Sequence, residues 1–300
     1  MGAKLCASGQ DWYGGPMKTH YNFARPRLIQ RLVPGIMGIV WFAAWWSPFG
    51  QAALDALLVW VPYGDGALLA MLGLSAIGVG VTWTVAPLFH QVDRTGSPKF
   101  IAKYKIQDPF DDPRRPSFAE AARVVLRNQV VLALPALVVL GLWLRYVWGW
   151  SVHADPWPWW AVPLQLMAML FISEVSFFTS HRFLHRPWWY RTVHRQHHRF
   201  RTSTSIAAQY AHPFEYLVGN VLSLGLALAL VPADMTTMWF YGVLVIVDTH
   251  LTHSGYNLPF GWWAVHHDLH HYSVNGNFGA GGFMDRLFGS ELGPPRDSGE

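Results

Sequence analysis

Twelve of the chain's 15 histidines fall between residues 181 and 271, in short groups separated by apolar runs. Eleven of them, all but His212, read His181-Arg-Phe-Leu-His185, His194-Arg-Gln-His197-His198, His250-Leu-Thr-His253 and His266-His267-Asp-Leu-His270-His271. Neutral imidazole is a nitrogen donor for iron, zinc, copper or nickel, and no other side chain is present in the numbers a metal site needs. Residues three and four apart share a helix face, so H-x-x-x-H and H-x-x-H-H predict helices that aim two or three ring nitrogens at one point. One H-x-x-x-H pair is a weak signal, whereas H-x-x-H-H occurring twice is a strong one. At least nine well-spaced histidines exceed the roughly four to six ligands that one ion takes, which implies two metals. A closed structural zinc site, often built on cysteines, does not fit a chain whose single cysteine is Cys6. An all-imidazole pair of redox metals with open positions suits iron and oxygen chemistry.

Composition indicates what holds these groups. Hydrophobic residues make up 52% of the chain, charged residues only 13%, and 17 residues are tryptophan, against roughly 25% charged in a soluble domain. The expected fold is an all-α integral membrane protein with about four transmembrane helices, at 32–49, 66–90, 129–150 and 157–179. Two shorter apolar arms, 216–231 and 235–247, are joined by a Pro-Ala-Asp turn and predict a short membrane hairpin over 216–247. Lysines and arginines crowd residues 1–31, the central loop 91–127 and the stretch from Arg182 to Arg201, and are absent from 50–66 and 151–156. By the positive-inside rule the N-terminal segment 1–31, the central loop and a histidine-rich catalytic region at 180–290 face the cytosol, with Arg145 as the one exception. This places the protein in the endoplasmic reticulum if eukaryotic and in the inner membrane if bacterial. Residues 1–31 have no apolar core of a cleaved leader, and residues 291–300 are expected to be a tail. The net charge of +4 sits at span ends, which argues against nucleic-acid binding. Ser117 and Glu120 have capping-box spacing and predict a helix at the cytosolic interface.

The succession of H-x-x-x-H, H-x-x-H-H and a later H-x-x-H-H resembles the three histidine boxes of the fatty acid hydroxylase, or sterol desaturase, superfamily. Further segments are similar to elements of that family: Glu174 seven residues before His181, Tyr210-Ala-His-Pro-Phe-Glu215, His253-Ser-Gly-Tyr-Asn257, Lys103-Tyr-Lys-Ile-Gln107, Asn277-Phe and Asp285-Arg-Leu-Phe-Gly289. Together they cover roughly residues 100 to 290, and they most resemble the methylsterol monooxygenase and cholesterol 25-hydroxylase branch. The resemblance implies a di-iron monooxygenase that uses O2 to hydroxylate a sterol or other lipid. Its metal ligands would be His181, His185, His194, His197, His198, His253, His267, His270 and His271, with His250 as a tenth. His212, His266, Glu215, Trp188, Asn275 and Asn277 are candidates for lining the site. Metal-bound imidazoles usually donate their other N–H to a carboxylate or carbonyl, which makes Glu174, Asp248 and Asp268 candidate acids beside the metals. Met284-Asp285-Arg286 replaces the family's usual Trp-Asp-Arg, and Thr-Ser-Thr replaces Ala-Pro within 201–205. Both departures bear on the substrate more than on the metal site.

Electrons must come from outside, because the chain has no Gly-rich nucleotide-binding turn and no cysteine set for an iron–sulfur cluster. An NAD(P)H-linked reductase acting through a small cytochrome or ferredoxin is the expected partner. A lipid desaturase or aldehyde decarbonylase would use the same boxes. A haem-binding membrane electron carrier would instead set its histidines deep within the spans, and a metal transporter near mid-membrane. Here they crowd the span ends.

Overall fold

In the computed structural model, residues 40, 43–44, 47–59, 66–107, 115–150, 157–158, 160–259 and 264–293 are described. Most of the expected first span at 32–49 lies outside them, as do residues 1–31 and 294–300. Besides a single turn at Lys99–Ala102, the α-helices among the described residues are, in chain order, α1 (Pro48–Leu58), α2 (Gly66–Thr95), α3 (Phe118–Tyr146), α4 (Ala161–Leu184), α5 (Pro187–Thr192), α6 (Pro213–Leu230), α7 (Met235–Thr252), α8 (Ala264–Ser273) and α9 (Phe283–Leu287). A single isolated bridge, Lys105 with Tyr256, is the one strand-like pairing among the described residues.

Four helices among the described residues, α2, α3, α4 and α6, are long and apolar enough to cross a membrane, and the protein is an integral membrane protein. Three of them match the expected spans. The fourth is the first arm of the expected hairpin, which starts earlier than the apolar run suggested, at Pro213, and so gains length. The second arm also grows, running past residue 247 to Thr252 as α7. Asp234 starts it by accepting from Thr237 N at 2.9 Å, and Gln165 of α4 holds the turn by donating to Pro232 O at 2.7 Å. Residues 48–58, reaching into the stretch 50–66 that lacks lysine and arginine, form α1.

The capping prediction at Ser117 is met: its Oγ accepts from Glu120 N at 3.1 Å. The helix that follows runs without a break into the next span. A π-helical segment at Asn128–Ala133 lets Asn128 reach Ala211 O at 2.9 Å. A second π-helical segment, Tyr216–Val221, directly follows Glu215. Such insertions rotate the chain relative to a regular α-helix and recur near functional sites.

The main apolar core lies between α2, α3, α4, α6 and α7, built on Met71, Leu74, Met169, Leu228, Met238 and Trp239. Gly73 lets α7 come close, because the Trp239 indole occupies the space a Cβ would need, while its Nε1 donates to Ala70 O at 2.9 Å. Leu164, Met167 and Phe171 on α4 and Val130, Val131 and Val139 on α3 point outward, as a lipid-facing surface requires. The histidines collect at one end of this bundle, on the last turn of α4, the end of α7, all of α8 and the 3-10 segment His194–Arg199.

Candidate metal centre

Nine histidines converge into two groups. The first comprises His181, His185, His194, His198 and His270, and the second His197, His253, His267 and His271; within each group one nitrogen per ring lies within 4.8 Å of all the others. These are the nine that the family resemblance pointed to. The partition differs from the simple expectation that each H-x-x-H-H serves one point. His194 and His198 share the first group while His197 crosses to the second, and His267 and His271 share the second while His270 crosses to the first. The i,i+4 pairs stay together and the middle histidine goes to the neighbouring group, so the two boxes interlock the two sites. Rings of His198 and His271, from different groups, are 4.8 Å apart between centroids.

Hydrogen bonds fix which nitrogen of each ring is free. His181, His197, His253 and His270 each turn Nδ1 to a backbone carbonyl: Phe278 O at 2.7 Å, Tyr210 O at 3.2 Å, Thr249 O at 2.8 Å and Gly276 O at 2.7 Å. A carbonyl only accepts, so Nδ1 carries the proton and Nε2 presents a lone pair. His194 Nδ1 lies 2.8 Å from a Glu215 carboxylate oxygen, outside hydrogen-bond geometry. Its Nε2 lies 2.9–3.0 Å from Nε2 of His181, His185 and His198. In the second group His267 Nε2 is 2.8 Å from His253 Nε2 and 3.1 Å from His271 Nε2.

These contacts are not all hydrogen bonds. His194 Nε2 carries either one proton or one lone pair, so it cannot hydrogen-bond three nitrogens at 2.9–3.0 Å at once, whereas a cation between them would satisfy all three. Metal–imidazole bonds of about 2.0–2.1 Å put neighbouring ligand nitrogens about 3 Å apart. In addition His198 Nδ1, His267 Nδ1, His271 Nδ1 and His270 Nε2 are buried with no hydrogen-bond partner, which is costly in a chain that nothing else completes. The donor set therefore fits metal ions. Neutral rings are the ligating form, and burial, followed by the neighbouring imidazoles, holds His194, His198, His267, His270 and His271 well below the ordinary histidine pKa.

A cavity of about 30 Å³ opens against both groups, bordered by Phe177, His181, His197, Glu215, Asn220 and His253. It holds one or two water-sized molecules.

The other sequence candidates take different places. His250 is buried but belongs to neither group: its Nδ1 meets Ser205 O at 3.0 Å and its Nε2 meets Thr82 Oγ1 at 3.0 Å. The ring thus turns toward α2 and away from both histidine groups. His212 starts α6, accepting from Phe214 N at 3.2 Å, and so presents Glu215. His266 Nε2 lies 3.8 Å from Asp285. Trp188 is exposed and packs edge-on against Trp189. Asn275 is exposed, whereas Asn277 is fully buried and donates to His266 O at 2.8 Å. Asn277 sits between Gly276 and Phe278, whose carbonyls orient His270 and His181.

Among the acids, Glu215 reaches a ligand ring directly. Glu174 accepts from Gly281 N at 2.7 Å, Asp248 is within electrostatic reach of Glu174, and Asp268 pairs with Gln107. Asp285, which sequence reasoning passed over as a site residue, accepts from Phe278 N at 2.8 Å and Gly279 N at 2.7 Å. It fixes the carbonyl on which His181 leans. The sequence signals for it were the Asp285-Arg-Leu-Phe-Gly289 similarity and the Met284-Asp285-Arg286 segment.

The fatty acid hydroxylase family model matches residues 166–290, a stretch that holds all nine histidines and Glu215. The chain is 30% identical over 210 residues to methylsterol monooxygenase 2-2 of Arabidopsis thaliana, covering 65% of this chain and 76% of that protein. It belongs to the fatty acid hydroxylase family. A very-long-chain aldehyde decarbonylase from rice (Oryza sativa) is 31% identical over 214 residues, 64% of this family member and 75% of the rice protein. Fatty acid hydroxylase domain-containing protein 2 of Macaca fascicularis is 35% identical over 213 residues, 70% of this chain and 63% of that one. The match thus spans less than two thirds of the macaque relative's length. No solved structure matches the chain.

The buried rings make stability depend on pH in a definite direction. Burial lowers His197 from 6.5 to about 4, so the unfolded chain takes up protons that the folded cluster refuses. Stability of metal-free protein is then full above about pH 6.5 and falls as pH drops from there toward about 4. The unfolding midpoint of metal-stripped protein in detergent should decline across that interval. A midpoint that stays level or rises contradicts burial of neutral rings.

Proposed function

We propose that the two histidine groups hold two iron ions and that the protein is an O2-dependent hydroxylase of a sterol or other lipid. His181, His185, His194, His198 and His270 would ligate one iron, and His197, His253, His267 and His271 the other. The observation that carries this reading is the convergence of lone-pair nitrogens about 3 Å apart that no pattern of hydrogen bonds satisfies. Iron held there supplies oxygen binding and the oxidising power to attack an unactivated C–H bond.

The chain's own residues supply the rest. Backbone carbonyls and Glu215 keep the imidazoles neutral and correctly turned. Phe177, Leu184, Ala208 and Ala211 make part of the cavity wall apolar, which limits water beside the reacting carbon. The spans α4 and α6 border both the lipid and this cavity, so substrate enters from the membrane. Hydroxylation balances as one O2, two electrons and two protons giving the alcohol and water, with electrons from an NAD(P)H-linked cytochrome or ferredoxin. The arginines from Arg182 to Arg201 support a cytosol-facing site within a catalytic region at 180–290.

The rice relative's name supports a second outcome at the same site, removal of an aldehyde carbon. Reconstituted protein given candidate lipids, a reductase chain and ¹⁸O2 should place one labelled oxygen in an alcohol product. Unlabelled alcohol, or turnover without oxygen, contradicts the hydroxylase reading, and conversion of a long-chain aldehyde to hydrocarbon in its place selects the second outcome.

A further inference from the structure

Behind the second histidine group lies a polar node that the proposed reaction does not use. The side chain of Asp93, near the end of α2, is buried, and its Oδ1 accepts from Lys105 Nζ at 2.7 Å and from Tyr256 OH at 2.9 Å. Its Oδ2 accepts from Thr204 Oγ1 at 3.2 Å. Lys105 Nζ lies 4.3 Å from the centre of the Tyr256 ring. The two segments also pair through their backbones, with Ile106 N donating to Gly255 O at 2.9 Å and Asn257 N to Tyr104 O at 2.8 Å. Gly255 has a φ of +73°, and a Cβ there would strike Ser203 O, so three turns are stacked too closely for any other residue. The segments similar to family elements, Lys103 to Gln107 and His253 to Asn257, are therefore partners in one structure.

The node leads to two ligands of one group. His253 directly precedes Ser254 and the bridge, and Gln107, two residues after Lys105, donates to Asp268, the neighbour of His267 on α8. His250 secures the 203–205 turn from the opposite side. The first group has other supports: Glu215 on α6, and the Gly276 and Phe278 carbonyls in the loop fixed by Asp285.

We propose that Asp93, Lys105, Tyr256 and Gln107 form a clamp of positioning residues that holds the central cytosolic segment against the second histidine group and is required for metal retention there, but not at the first group. This rests on the reading that each group holds one metal. Breaking a buried ion pair on one side leaves an uncompensated charge, so the test removes both charges together, in D93N/K105M, and separately cuts the uncharged link in Q107L.

The full chain, purified in detergent, would be stripped, reloaded with ferrous iron without oxygen, and its iron measured per chain. Wild type is expected to hold two equivalents, and D93N/K105M and Q107L about one, with the helical circular dichroism of wild type. Adding H185A to Q107L should remove most of the remaining iron, whereas adding H271A should not lower it further. Two equivalents in both clamp variants overturns the proposal, as does a Q107L/H271A protein that loses the last equivalent. If D93N/K105M does not fold, Q107L alone decides. Wild type holding only one equivalent overturns the two-metal reading itself, a failure distinguishable from that of the clamp.

Discussion

His194→Ala is expected to abolish turnover, a fall of about 10³-fold or more, equivalent to about 4 kcal/mol of lost transition-state stabilisation. His194 Nε2 is the point from which three other ring nitrogens of the first group stand 2.9–3.0 Å away, so no other ring in the group can take its place. On the proposed reading the two metals act on one oxygen molecule as a unit, so combining His194→Ala with His267→Ala should cost little more than either alone. Product formation with reconstituted electron donors measures both. A His194→Ala enzyme that keeps a tenth of wild-type activity, or single losses that multiply in the double variant, contradicts a joint site.

Glu215 gives the second large effect, and its direction separates orientation from charge. One carboxylate oxygen faces His194 Nδ1 at 2.8 Å, and the residue is buried at the start of α6, with its other oxygen unpartnered. Removing such a partner typically lowers metal affinity or activity about 10–100-fold. Glu215→Ala should therefore lose iron under chelator at concentrations that leave wild type loaded. Glu215→Gln keeps an oxygen beside His194 Nδ1 and should retain iron within a few-fold of wild type. Equal iron loss in the two variants would show that the carboxylate's charge, and not the acceptor it offers, is what matters.

The convergence of the nine histidines was legible because spacing of three and four residues is a local helical pattern that brings rings together. Their division between two groups was not legible. The H-x-x-H-H spacing says that the rings are neighbours, but the 3-10 turn at His194–Arg199 and the regular helix α8 decide which ring faces which group. His250 shows the same limit. It stands three residues before His253, yet His253 ends α7 and turns toward α8, while His250 remains on the helix face that meets Thr82 of α2.

Acids placed by sequence proximity fared unevenly for a related reason. Glu174 lies two helical turns before His181, and its carboxylate is drawn instead to amide donors at Gly281 and Met284 that arrive from 107 and 110 residues away in sequence. The groups that orient four of the rings are backbone carbonyls, which every residue possesses and no composition reveals. Apolar length located three spans, and α6 emerged as a fourth because Pro213 and Glu215 extend the helix beyond the apolar run. The Lys105–Tyr256 pairing depends on long-range backbone contact and leaves no periodic trace.

Iron content of active, detergent-purified protein, measured by elemental analysis alongside protein concentration, tests the central claim most directly. The two interlocked histidine groups predict two irons per chain, with activity proportional to the fraction of chains carrying both. Full activity at one iron or fewer per chain, or with zinc alone in the site, would contradict a two-iron oxygen-activating centre.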